Sequence, residues 1–265
     1  MCVHIDGYFI CMATIVTAYF NIPKSKANHE TYVEWMKNML AIQNRMVIFC
    51  DASSMDLIRG ARKGNPYATI IIEMKFEEFH CYKYVDIFQA QHAIDHENNA
   101  HSVELYLIWN EKSHFLKRAA TEIEKLFRLP HNDKFVWCDI GCFRTPNTRF
   151  LQWPDATKIP DDKMLLLEVD PLNQQDDIKD IKFLHDLTKR NHIGGGIFAG
   201  SSNAIMKWHD AYYAMLERLY SMGIFVGKDQ TIMSSVYIEQ PEMCFCVKYP
   251  RGYYDRWFYL QDYLL

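Results

Sequence analysis

The opening third of the chain alternates between two hydrophobic periods, and that alternation constrains the fold more tightly than any other feature. Ala13 to Phe20 (ATIVTAYF) is an unbroken β-favouring run closed by Asn21 and Pro23. Tyr32 to Ile42 then sets Trp35, Met36, Met39 and Leu40 at helical spacing. Met46 to Cys50 is a second apolar run that stops at Asp51, Ser53 or Ser54 caps a short helix through Arg59, and Ala68 to Met74 is a third strand. Strands that are apolar throughout, separated by helices, belong to a parallel sheet covered on both sides. The expected fold class is therefore α/β, with a mostly parallel central sheet flanked by helices on both faces. At 265 residues the chain is long enough to bury such a sheet in one domain.

The rest of the chain is less regular. Phe76 to Asn99 mixes aromatics, histidines and acids without a clean period, and part of it reads as helix. Ser102 to Trp109 and Ser113 to Phe127 read as two helices, the second with Phe115, Leu116, Ala119, Ala120, Ile123 and Leu126 on one face. Phe135 to Cys138 is a strand, and Pro146 to Pro160 a proline-marked crossover loop leading to a strand at Met164 to Val169. A helix at Asp177 to Thr188, a glycine turn at 194–196, a strand at Ile197 to Gly200 and helices at Asn203 to Ser221 and Asp229 to Val236 follow. The aromatic tail from Met243 packs back over the sheet.

Several function classes fall away on composition. A net charge of −4 and a pI near 6.3 argue against a nucleic-acid protein, which gathers basic excess on one face. Eight cysteines without framework spacing read as reduced thiols. No run approaches the roughly 18–20 apolar residues of a membrane span. Residues 1–12 lack the basic start of a signal peptide, so they read as an N-terminal extension, with Met12 an alternative start and the cytosol the expected compartment.

The segment Phe135-Val136-Trp137-Cys138-Asp139-Ile140-Gly141-Cys142-Phe143-Arg144 carries the strongest chemical signal. A parallel strand delivers its last side chain to the crevice at its carboxyl end, where α/β folds bind ligands. Asp139 reads as such a ligand or as the cap of the following turn, and Asp51 stands in the same position after its own strand. Hard carboxylate oxygens on one rim suit Mg or Mn, a ribose, or both. Lys112, at the junction of the two expected helices, and Arg144, with its bidentate fork, read as phosphate binders or as ordinary surface cations. Gly194-Gly195-Gly196 permits positive φ and a close ligand approach. Asp229 opens a helix as a cap or as a general base. His92, His96, His101 and the Cys244/Cys246 pair lack a paired CxxC pattern, and no structural zinc is expected from them.

The ordered set TIVTAYFNIPKSK, Tyr32 to Trp35 with Met36, MVIFCD, IWNEK, FVWCDIGCFR, GGIFAGS and KDQTIM resembles the HtrL/YibB family of glycosyltransferase-like proteins. More broadly it is similar to GT-A nucleotide-diphospho-sugar transferases. The resemblance runs from about Ala13 to the tail and implies a single GT-A-like domain over 1–265. About 13–145 would form the nucleotide-binding half and about 146–265 the acceptor-binding half. It implies that Ala18 and Tyr19 hold the base, that Asp51 lies near base or ribose, and that Asp139 is the first acid of a DxD motif and ligates Mn or Mg. Gly141 stands where the second acid is usually found, so Lys112 and Arg144 would share the charge-stabilising work. Gly195 and Gly196 would border the sugar, and Asp229 with Gln230 would face the acceptor. The implied function is sugar transfer in glycan biosynthesis from a nucleotide-diphosphate donor to a glycan or other hydroxyl acceptor. The alternative is a catalytically inactive nucleotide-sugar or carbohydrate-binding module of the same fold. A phosphatase-like use of Asp51 as nucleophile is a weaker third reading, because FCDASS lacks an acid two residues on.

Overall fold

The computed structural model describes all residues except 1, 6, 7, 12, 23, 25, 26, 124–132, 147 and 173–176, with the backbone alone for 2–5, 8–11 and 123. Cys2–Ile5 (β1) and Tyr8–Cys11 (β2) pair as an antiparallel ribbon. A seven-stranded sheet follows, built from Thr14–Tyr19 (β3), Met46–Cys50 (β4), Thr69–Glu73 (β5), Lys134–Cys138 (β6), Met164–Glu168 (β7), Ile197–Ser201 (β8) and Cys244–Lys248 (β9). The spatial order is β5-β4-β3-β6-β8-β7-β9, and within it β8 alone runs against its neighbours. The α/β class and mostly parallel sheet expected from the sequence are what the chain forms.

The pleat explains why the central strands carry no polar face. Val16 lies beside Val47 and Trp137 and points into one apolar layer, while Ile15 lies beside Met46 and Val136 and points into the other. The helices are His29–Leu40 (α1), Met55–Arg62 (α2), Val85–Gln91 (α3), Val103–Arg118 (α4), Ile181–Leu187 (α5), Ser202–Ser221 (α6), Asp229–Glu239 (α7) and Tyr259–Tyr263 (α8). Phe88 of α3, Phe115 of α4, Trp208 of α6 and Ile232 of α7 fill the first layer. Met36 of α1, Ile58 of α2 and Leu260 of α8 fill the second.

Four local expectations are corrected. The two helices expected on either side of Lys112 are one continuous α4, because Asn110, Glu111 and Lys112 are buried and satisfied by tertiary partners instead of breaking the helix. Leu126 and Phe127 lie outside the described residues. Ser54 stands at the N-cap position of α2 but its side chain makes no capping bond; the side-chain cap after β4 comes from Asp51, which accepts from Ser54 N in the turn before the helix. None of Gly194, Gly195 and Gly196 has a positive φ; among the described residues that conformation belongs to Gly64, Gly223 and Gly252. The tail does pack back, with Leu260 and Leu264 fully buried, but it also contributes β9 beside β7.

The order β5-β4-β3 grows in one direction from the first central strand and β6 lies on the other side. The reversal between β3 and β6 is a topological switch point, where the loops leaving the carboxyl ends separate and open a crevice.

Candidate functional site

A cleft of about 1220 Å³ opens at this switch point. Its walls come from the end of β3, the turn after β6, the middle of α4, the 195–196 segment, the start of α7 and the C-terminal tail. Ala18, Tyr19, Lys112, Asp139, Arg144, Gly195, Gly196, Asp229 and Gln230 all line it. Sequence positions far apart therefore converge on one surface.

Lys112 is the centre of the arrangement. Its Nζ lies 3.0 Å from Asp139 Oδ1, 3.0 Å from Asp229 Oδ2 and 3.0 Å from the Gly195 carbonyl, which accepts a hydrogen bond from it. The Lys112 side chain is 5% exposed, as is that of Asp229, whereas Asp139 keeps 40% of its surface in the cleft. Burial acts to lower the Lys112 pKa, but the two carboxylates outweigh it and the net shift is upward, so the ammonium stays charged. Burial raises the Asp139 pKa, Lys112 pulls it back and Asp229 adds to the rise, leaving it above the usual carboxylate range. One ammonium against two carboxylates leaves the floor of the cleft with an excess negative charge.

Neighbouring elements hold these groups in place. Trp137 Nε1 donates to Asp139 Oδ1 at 2.8 Å, and the Asp139 N–H donates to the Gly196 carbonyl at 2.8 Å. Asn110 Nδ2 donates to the Gly227 carbonyl at 3.0 Å, and Tyr212 Oη donates to Asn110 Oδ1 at 2.9 Å, so α4 is fastened to the turn that launches Asp229. A Cβ at Gly195 would lie 2.6 Å from Asp229 Oδ2, which explains glycine there through close approach instead of backbone conformation. Glu111 accepts from the N–H groups of His80 and Cys81 at 2.9 Å each, and burial pushes its carboxyl up to about 7.

Gly141 now has a physical reason. A Cβ there would meet Trp35 and Tyr32 ring carbons at 3.1 Å, so a side chain at this position needs those rings to shift by a few tenths of an ångström.

A family model described as "Bacterial protein of unknown function (HtrL_YibB)" matches residues 11–261. The chain belongs to the HtrL_YibB family. Protein HtrL of Escherichia coli (strain K12) is 23% identical over 255 residues, covering 87% of this chain and 85% of its own. Among solved structures, the apo form of mouse xyloside xylosyltransferase 1 is similar over 89% of this chain and 84% of that one, at 9% identity and a TM-score of 0.47.

In this HtrL_YibB chain Asp51 is the expected site residue that the cleft leaves out. Its carboxylate accepts from Asn21 N at 2.6 Å, Ser53 Oγ at 2.5 Å, Ser54 N at 2.9 Å and Ser54 Oγ at 3.0 Å. Those bonds overcome the effect of burial and lower its pKa. Asp51 therefore anchors the turn after β3, whose Asn21 does line the cleft, and three of its four bonds fall on Oδ1. Arg144 sits at the rim with its guanidinium 4.7 Å from the Trp35 ring and 4.7 Å from the Phe258 ring. Stacking of this kind fixes the plane while the N–H edge stays available.

Phe258, Trp257 and Asp255 of the tail also line the cleft and were not singled out in the sequence, where the aromatic tail was the only signal of them. Six described cysteines, Cys50, Cys81, Cys138, Cys142, Cys244 and Cys246, are free thiols. No helix among the described residues is long and apolar enough to cross a membrane.

Proposed function

We propose that this protein transfers a sugar from a nucleotide-diphosphate donor to a hydroxyl acceptor. The observation that carries the reading is the buried Lys112 ammonium, fixed 3.0 Å from both Asp139 and Asp229 in a cleft at the switch point of a mostly parallel sheet. The sequence resemblance to GT-A transferases supports the same site.

In this reading the nucleoside lies against Ala18 and Tyr19, and the diphosphate reaches down to Lys112 with Arg144 closing over it from the rim. Lys112 does not reorganise during the reaction. A preorganised cation in a water-poor site stabilises the negative charge that develops on the departing diphosphate more strongly than the same charge in water. Asp229, held 3.0 Å from Lys112, is the base for the acceptor hydroxyl in an inverting reaction. Gln230 and the Gly195-Gly196 segment border the sugar. The halves at about 13–145 and about 146–265 then divide donor and acceptor binding, with the cleft between their contributions.

The donor set fits a divalent metal. The excess negative charge around Lys112 disfavours a second anion, and a cation at the exposed Asp139 carboxylate relieves it. Asp139 would hold Mn or Mg with phosphate oxygens and water in the remaining positions, as Mg sites with one protein carboxylate do. Bound there, the ion would neutralise the diphosphate.

The replacement of the second acid by Gly141 against Trp35 and Tyr32 favours one other reading, a nucleotide-sugar-binding module without turnover. Donor hydrolysis over a panel of UDP, GDP and CMP sugars, with and without Mn, separates the two when run beside calorimetry. Metal-stimulated release of the nucleoside diphosphate that falls in Asp139→Ala supports the transferase. Binding without release supports the module, and neither binding nor release removes both.

A further inference from the structure

We propose that His80, His114 and His209 form a site for a borderline divalent metal such as Zn²⁺, separate from the cleft. One ligand nitrogen from each imidazole lies within 4.8 Å of the others. His114 Nδ1 and His209 Nε2 face each other at 3.1 Å, and the His80 ring stacks on His114 with centroids 4.5 Å apart. Zn–N bonds of about 2.0–2.1 Å place tetrahedral nitrogens ~3.4 Å apart, so nitrogens now up to 4.8 Å apart must draw together and the stacked His80 ring must tilt to close the set. Three imidazoles with a fourth position left for water form an open zinc site of a familiar donor type.

The cluster stands on three separately held elements. His114 belongs to α4, His209 to α6, and the His80 N–H is pinned by the Glu111 carboxylate at 2.9 Å. His114 lies two residues beyond Lys112, about 200° around the helix, so the cluster occupies the side of α4 turned away from the cleft. His209 Nδ1 lies 2.9 Å from Asp210 Oδ1. Donation of that N–H to the carboxylate leaves Nε2 bare for an ion, the orientation that metal-bound histidines adopt. Lys117 Nζ competes for the same Nδ1 at 3.2 Å, and its ammonium opposes a cation nearby.

Two of the histidines considered from sequence have other partners. His101 Nδ1 is bound to Asp95 Oδ2 at 2.8 Å, and His92 Nδ1 pairs with Tyr106 Oη at 2.9 Å.

The test is titration of the untagged, chelator-stripped full chain with Zn²⁺ by calorimetry, with Co²⁺ as an absorbing probe. One ion per chain with tetrahedral Co²⁺ absorption is expected. His114→Ala and His209→Gln should abolish this binding, and Asp210→Asn should weaken it about 10-fold, at the low end of such effects because Asp210 is largely exposed. Lys117→Met should tighten it, an effect that a merely structural histidine cluster would not produce. Asp139→Ala should leave it intact; loss there would assign the ion to the cleft and overturn the proposal. Failure of the wild type to take up one equivalent, or retention in both histidine variants, would also overturn it. If those variants do not fold, X-ray absorption on Zn-loaded wild type decides: three imidazole ligands support the site and fewer than two refute it.

Discussion

Asp51 and Asp139 each stand one residue beyond a parallel strand of the same sheet, β4 and β6, and each follows a fully buried apolar run. Asp51 leaves a strand whose neighbours on both sides continue the same winding, and its carboxylate turns back on four local donors. Asp139 leaves the strand at which the winding reverses, and it meets a lysine from α4 and open solvent. Sequence context of the two acids is nearly the same. What separates them is strand order, which decides whether a rim carboxylate finds a crevice or its own backbone.

The comparison can be broken most forcefully at Lys112. Lys112→Met leaves two carboxylates without the ammonium they share, and removing one partner of a buried pair costs about 3–5 kcal/mol, read as a lower urea midpoint. An unchanged midpoint would mean that the ammonium does not hold the floor of the cleft.

Next in size is Asp139→Asn, for which donor turnover should fall by about 10²–10³, the range for removing one preorganised electrostatic group. Asp51→Asn should leave turnover near wild type; an equal loss there would erase the distinction between the two acids. The pair should also part company on acidification. Asp139 has a raised pKa, so donor turnover should fail on the acid side at a pH above the ordinary carboxylate value of about 3.9. Asp51 has a lowered pKa, so it supports the fold above its unfolded value and loses that contribution only as pH falls through the lower folded one.

Gly195→Ala should cost about 1–3 kcal/mol and reduce turnover, because the added methyl drives into Asp229 in a packed region. The smallest effect belongs to Asp51→Ala, expected to remove about 0.5–2 kcal/mol of stability as the loss of a capping side chain. A thermal melt that does not move would show the four bonds to be idle.

Much of the fold was legible because its signals are local. β3, β4, α1, α6 and α7 each follow from an apolar run or a helical period that one element satisfies alone. Other features depend on distant partners and left no such trace. Asn110-Glu111-Lys112 reads as a helix break until the turn at Val226 and Gly227, the His80 N–H and Asp139 are brought against it. Cys244–Lys248 becomes a strand through its pairing with β7, and its partly exposed pattern is that of an edge. A strand end marks Asp139 and a helix start marks Asp229, and both line the cleft. The stacking of Arg144 between Trp35 and Phe258 needs the tail folded over the cleft, which no spacing announces.

The wall behind Gly141 also bears on how this chain can change. The Cβ of an acid at that position would sit 3.1 Å from ring carbons of Trp35 and Tyr32, so a single codon change toward a two-acid motif must displace those rings by a few tenths of an ångström. The order of substitutions then matters: shrinking a ring before adding the carboxylate removes that displacement, and the reverse order incurs it. A mutational library that varies Tyr32, Trp35 and Gly141 together should recover acids at 141 chiefly in company with smaller side chains, an epistasis written into three neighbouring positions.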